Sequence, residues 1–323
     1  RVYVLGAQLF VSDDGGRTFR RDGAPAVHLD HHAMWIDPDN SDHILMAGDG
    51  GVSVSFDRSA TWRFMDNLPI GQFYEIGVSR EFPYKVYGGL QDNGSWGGPS
   101  RTLDVRRIHD ADWFNVNGGD GFYTRVDPDD PSIMFAESQN GGLTRIDLDT
   151  MESQSIRPVA RPDRATVSVR GMISADEPGD EGAEGEEGEV ELAPYRWNCN
   201  TPILISQHDN ATIYAGANYL LRSRDRGLSW EEVSPDLTRA IDRDATPIMG
   251  ITPSESLSSN DGVSTYGNIT TLAESPIDPD VLFAGTDDGN LQRTVDGGAN
   301  WTDLTATLPG LPAGAMARRG GPS

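Results

Sequence analysis

A single cysteine, Cys199, stands in a chain of 323 residues. No internal disulfide can form, and a cysteine-rich metal centre is excluded. Flanked by Asn198 and Asn200, the thiol reads as a small buried hydrophobe, not as a nucleophile. Basic residues are also scarce: 26 Lys and Arg face 50 Asp and Glu, a formal charge of −24. Such a field repels phosphate backbones and anionic membrane surfaces, so nucleic acid is not expected as a partner. No apolar run approaches the length of a membrane-spanning helix. Turn chemistry, by contrast, is abundant. Gly at 37 and Pro at 20 suit many short strands joined by tight turns.

One pattern occurs four times: a small hydroxyl residue, an Asp-bearing turn, then a hydroxyl or amide before an aromatic. The copies are Ser12–Phe19, Ser55–Trp62, Ser223–Trp230 and Thr294–Trp301. The acids singled out are Asp13, Asp57, Asp225 and Asp296. An Asp carboxylate accepts hydrogen bonds from backbone N–H groups just ahead of it and closes an Asx-type turn. Gly16, Gly227 and Gly298 permit a positive φ at little cost, with Ser59 replacing the glycine in the second copy. The closing Trp or Phe is placed to bury a large apolar surface between neighbouring sheets. Each copy follows β-rich runs, such as Thr212–Ala215 and Tyr219–Arg222. Ser12 and Ser55 stand roughly 43 residues apart, a length that suits a four-stranded propeller blade.

These segments resemble Asp boxes, the bacterial-neuraminidase-type repeat of sialidases, xyloglucanase-like glycosidases and sortilin-type receptors. A closer resemblance, to bacterial sortilin-like and xyloglucanase-like proteins, is carried by four further stretches: His31–Pro38, Gly88–Trp96, Gly118–Phe122 and Ser234–Thr238. It implies an all-β fold, a β-propeller of four-stranded blades, and an exported protein, secreted, periplasmic or on the cell surface. Fold alone does not give function.

Six repeat units are expected, with blades near 1–21, 32–65, 73–104, 118–157, 196–235 and 267–305 inside a propeller spanning 1–311. In the fourth unit Asp147-Leu148-Asp149 stands where the box should be. Residues 176–191 are almost entirely acidic or Gly and are expected to be disordered, because they cannot bury enough apolar surface to offset ordering entropy. Residues 236–262 read as an insertion between strands, and 312–323 as a flexible tail. The first residue falls inside a strand pattern, so upstream sequence is expected. Six units suit part of a seven-bladed ring, packing against missing blades or another subunit.

In such a blade the turn between strands two and three shares a face with the connections between blades, and the acidic turns lie on the opposite side. The four acidic-turn residues are therefore scaffold. The functional face collects candidate ligand-binding residues His31, His32, Gln91, Asn93, Trp113, Glu137, Asn140, Asn198, Asn218, Asn268 and Asp287. Amides, carboxylates and aromatic rings suit sugar hydroxyls and faces, and suit peptides equally. Glycoside hydrolysis needs two carboxyl groups across the scissile bond, and Asp49, Asp92 and Asp120 are the catalytic candidates by position. Few Arg residues reach this face, which disfavours a sialidase. His31 and His32 point opposite ways in an extended strand, so no metal is assigned to them. Turns such as Asp37-Pro38, Asp127-Pro128 and Asp278-Pro279 would suit calcium, yet Pro rigidity and Asx capping explain them without it. No cofactor is expected. Two readings stay open: a module binding polysaccharide, peptide or protein in its central funnel, and a glycosidase with paired carboxylates.

Overall fold

Short strands separated by Gly- and Pro-bearing turns fold as six antiparallel sheets, each a meander in chain order. The protein, a computed structural model, is described over residues 1–21, 27–66, 68, 71–158, 195–247, 250–256, 265–308, 310 and 315–316. The acidic stretch 176–191 and most of the tail 312–323 lie outside the described residues. The first sheet has three strands, β1 (Val2–Val4), β2 (Phe10–Ser12) and β3 (Arg20–Arg21). The second has four: β4 (His31–Ile36), β5 (Ile44–Gly48), β6 (Gly51–Ser55) and β7 (Arg63–Phe64). The third is β8 (Phe73–Val78), β9 (Lys85–Leu90), β10 (Ser95–Pro99) and β11 (Phe114–Asn117). The fourth is β12 (Gly121–Val126), β13 (Ile133–Ser138), β14 (Gly142–Asp147) and β15 (Ser153–Ser155). The fifth is β16 (Ile203–Ile205), β17 (Ile213–Gly216), β18 (Leu220–Ser223) and β19 (Glu231–Glu232). The sixth is β20 (Ile269–Glu274), β21 (Leu282–Thr286), β22 (Leu291–Thr294) and β23 (Thr302–Asp303).

First strands of successive sheets meet: β8 packs on β12, β12 on β16, and β16 on β20. The sheets therefore radiate from a shared inner edge, and the chain is a β-propeller of about six blades. Apolar residues buried between sheets hold it together. Leu9 and Val11 meet Met46 across the first junction. Tyr87 and Val116 meet Met134 and Ile146 between the third and fourth sheets. Phe135, Leu143 and Ile156 meet Trp197 and Ile213 between the fourth and fifth. Tyr214, Leu220 and Val233 meet Ile269 and Leu282 between the fifth and sixth. Each such side chain contributes about 1.5–3 kcal/mol when fully removed from water.

The four acidic turns share one hydrogen-bond arrangement. In the fifth sheet Ser223 Oγ–H donates to Asp225 Oδ1 at 2.7 Å while Oγ accepts the Gly227 N–H at 2.8 Å. Ser229 N–H donates to the same carboxylate at 2.8 Å and its hydroxyl at 2.5 Å. Thr294, Asp296, Gly298 and Asn300 repeat the set in the sixth sheet; Ser55, Asp57, Ser59 and Thr61 repeat it in the second. In the first sheet the acid in this role is Asp14, which accepts from Ser12 Oγ at 2.8 Å and from Thr18 N–H at 2.9 Å. Asp13 is a correction. It lies one residue early, its carboxylate takes no part in the turn's hydrogen bonds, and it pairs with Arg1 at 2.5 Å. Bonds from Thr18 hold the Asp14 carboxyl well below the usual carboxylate range, and Thr61, Ser229 and Asn300 lower Asp57, Asp225 and Asp296 likewise. With folded values depressed, this stabilisation is present above the ordinary carboxylate range and is lost as pH falls through the lowered values.

The glycine of the pattern has two reasons to be there. Gly227 and Gly298 take φ of +90° and +102°, and both abut the preceding sheet. A Cβ on Gly227 would lie 2.6 Å from Ile156 Cδ1, and one on Gly298 2.3 Å from Val233 O. In these two turns the closing tryptophan bonds to the same spot: Trp230 Nε1 donates to Ile156 O at 2.8 Å, and Trp301 Nε1 to Val233 O at 3.0 Å. In the fourth sheet Asp147, where no box was expected, still caps its own turn by accepting from Asp149 and Thr150 N–H. Asp37, Asp127 and Asp278 cap theirs through Asp39, Asp129 and Asp280 N–H.

Removing one hydroxyl tests the turn. Ser223→Ala strands the Gly227 N–H and is expected to cost about 1–2 kcal/mol in urea unfolding. In the first sheet Asp14→Ala is expected to lower the unfolding midpoint, whereas Asp13→Ala leaves it nearly unmoved.

Candidate functional site

On the side opposite the acidic turns, residues 28–30, which lead into β4, and its first residues His31 and His32 lie beside the β5–β6 turn. Two glycines make room. A Cβ on Gly48 would fall 2.4 Å from Asp30 O, and one on Gly50 2.3 Å from His28 Cβ. Asp49 N–H donates to Asp30 O at 3.2 Å, while His31 N–H donates to Gly6 O at 2.9 Å, tying the segment to the first sheet. The β4–β5 register shifts between His31 and Ala33, a bulge at His32. His31 turns inward and is buried, which pushes its pKa down against the pull of Asp30. His32 stays exposed, with Nε2 at 2.7 Å from Asp49 Oδ1.

The third sheet brings its β9–β10 turn to the same place. His28 Nε2 lies 3.3 Å from Asp92 Oδ1. Asn93 Nδ2 donates to Gly50 O at 3.5 Å, and Asn93 O accepts from Trp96 Nε1 at 2.8 Å. Gln91 Oε1 accepts from the Tyr74 hydroxyl. Burial raises the Asp92 pKa, and the nearby Asp49 and Asp30 charges add to the rise while His28 opposes it. His31, His32, Asp49, Gln91, Asp92 and Asn93 thus form one neighbourhood, joined by His28 and Tyr74. Neither Asp49 nor Asp92 is consumed in closing its own turn; each faces an imidazole.

The remaining candidates lie elsewhere on this side, and several close the fold on itself. Asp120 N–H donates to Gln139 Oε1 at 2.7 Å. Asn218 Oδ1 accepts the Arg196 N–H at 2.8 Å, and Asp287 Oδ1 accepts the Asn268 N–H at 2.7 Å. In three sheets, then, a polar residue of the strand-two-to-three turn clasps the backbone where the same sheet begins. Asn218 and Asn268 are buried, and Asn268 Nδ2 donates to Thr265 O at 2.6 Å. Their side chains therefore face the interior and not a ligand. Glu137 is likewise corrected to an interior group: it is 0 % exposed, and Oε1 accepts the Thr201 N–H at 3.1 Å. Burial raises its pKa well above the usual carboxylate range. Asn140 faces the Cys199 thiol at 3.7 Å, Asn198 Oδ1 accepts the Asn200 N–H at 3.0 Å, and Trp113 sits beside Phe73 with ring centres 5.8 Å apart. Among the described residues no group of three or more His, Cys, Asp or Glu could hold a metal ion, and no helix is long and apolar enough to cross a membrane.

No known family profile matches the chain, and no curated protein matches it. Solved structures do. A GH74 xyloglucanase from Xanthomonas campestris is 15% identical, with a TM-score of 0.38, over 90% of this chain and 41% of that one. YCF48 bound to D1 peptide is 13% identical at a TM-score of 0.34, over 91% of this chain and 74% of that one. An auxiliary nutrient binding protein from Bacteroides thetaiotaomicron is 11% identical at 0.40, over 85% and 56%. The chain spans less than half the length of the xyloglucanase it matches. The propeller itself rests on the sheets and contacts described above.

Glu137 yields a pH test with a definite sign. Its folded pKa is raised, so its contribution is intact below the ordinary carboxylate value and is lost as pH rises through the raised one. Unfolding midpoints measured from pH 5 to 9 are expected to fall more steeply for the wild type than for Glu137→Gln. Glu137→Ala, which strands the Thr201 N–H, is expected to cost about 1–3 kcal/mol at neutral pH.

Proposed function

We propose that the chain is a ligand-binding propeller module of the sortilin-like, Asp-box kind, exported from the cell. Its ligand is a polar glycan, peptide or protein segment taken at the rim formed by residues 28–32, Asp49 and Gln91–Asn93. One observation carries this reading: imidazole donors and carboxylate acceptors alternate on an exposed rim. The side chains of His32, Asp49 and His28 are 67%, 39% and 38% exposed, whereas Asp92 is 16% exposed. Groups spaced in this way bond to hydroxyls or amides, and Tyr74 offers a ring face beside them.

A specific feature favours glycoside hydrolysis as the second reading. Asp92 is half-sheltered and raised in pKa beside the more exposed Asp49, and such divergence is what separates a general acid from its partner carboxylate.

A defined panel of polysaccharides and peptides, assayed for retention and for release of reducing ends, separates the two. The module reading expects retention without release, and a roughly tenfold affinity loss in His32→Ala, about 1.4 kcal/mol. Release of reducing ends that vanishes in Asp92→Asn would replace binding by hydrolysis.

A further inference from the structure

Buried apolar clusters join the first sheet to the second and link the third through sixth in series. Among the described residues no such cluster joins the second sheet to the third. The facing surfaces are nonetheless apolar. Trp35 pairs with Leu45 on one face of the second sheet, opposite the face where Met34 and Met46 pack on the first sheet. Val78 pairs with Val86, and Ile76 with Gly88, on one face of the third sheet; Gly77 and Tyr87 turn the other way, toward the fourth. Trp35 is 47% exposed, and Ile76 and Val78 are each 57% exposed. What crosses this junction is polar: His28 Nε2 to Asp92 Oδ1 at 3.3 Å, and Asn93 Nδ2 to Gly50 O at 3.5 Å.

We infer that this junction is a hinge dividing the propeller into two bodies, the first two sheets and the last four, with His28 and Asp92 as its latch. The inference stands on packing and needs no ligand. Close-packed interfaces resist opening because separating them exposes apolar surface. Here that surface is already exposed, so opening breaks polar contacts that water can replace. His28 faces Asp92 across the junction, with Asp30, Asp49, His31 and His32 on its own side. Removing the imidazole takes away one of the two polar contacts described across it.

Spin labels on the full chain test the hinge. With Cys199→Ser as background, Arg63→Cys and Phe82→Cys report across the junction, and Phe82→Cys with Ile277→Cys reports within the larger body; all three sites are exposed. The hinge predicts a main and a minor distance population for the first pair in the wild type, a larger share of the minor one in His28→Ala, and one narrow distribution for the second pair throughout. A single narrow distance across the junction under all conditions overturns the hinge. So does broadening of the control pair in His28→Ala, which would mark general loosening. Two populations whose shares are indifferent to His28→Ala overturn the latch.

Discussion

The structure depends on how closely the acidic turns of the fifth and sixth sheets press against the end of the sheet before them. Gly227 and Gly298 leave no space for a side chain there, and Trp230 and Trp301 donate their indole N–H groups to the same two residues, Ile156 and Val233. Seating a turn in this way fixes the angle between two sheets. It does so twice, between the fourth and fifth sheets and between the fifth and sixth. The internal bonds of the turn make this possible: the hydroxyl at its start and the carboxylate two residues on hold two successive residues at positive φ, as at Arg226 and Gly227. Sequence, turn and ring are thus linked by one local contact.

The opposite side is built differently. There the strand-two-to-three turns reach back to the start of their own sheets, through Gln139, Asn218 and Asp287. This second clasp consumes polar side chains that would otherwise face solvent. At the second and third sheets Asp49 and Asp92 turn toward the histidines of residues 28–32, and Asn93 toward Gly50. Among the described residues no apolar cluster joins these two sheets. Exposed polar groups and weak apolar packing thus fall at one place.

The propeller was legible in the sequence because its turns recur with fixed chemistry. Counting from the hydroxyl residue identifies the right acid in three copies; in the first, two adjacent acids obscured it, and spacing alone would have chosen Asp14 over Asp13. Gly227 and Gly298 were readable as positive-φ residues but not as points of close approach, since the atoms they would strike lie in another sheet. The site was less legible. Position in a strand-two-to-three turn picked out Asp49, Gln91, Asp92 and Asn93, which the fold brings together, but it also picked out Asn218; Asn268, before β20, and Glu137, within β13, are buried as well. Nothing local distinguishes an Asn that accepts a backbone N–H from one that meets a ligand. The alternation at His31 and His32 was readable from strand period, while the reach of His28 to Asp92 is tertiary.

The close-approach account is tested most directly by two substitutions in one turn. Gly297 and Gly298 both have positive φ, but a Cβ on Gly297 meets only the end of the Asp280 side chain, at 3.0 Å, whereas one on Gly298 meets the backbone of Val233. In urea unfolding, Gly297→Ala is expected to cost about 1 kcal/mol, the ordinary penalty for a left-handed residue. Gly298→Ala is expected to cost at least about 3 kcal/mol, because backbone must move. Equal costs for the two would mean that φ alone explains the glycine, and the account of how the sheets are set against one another would be wrong.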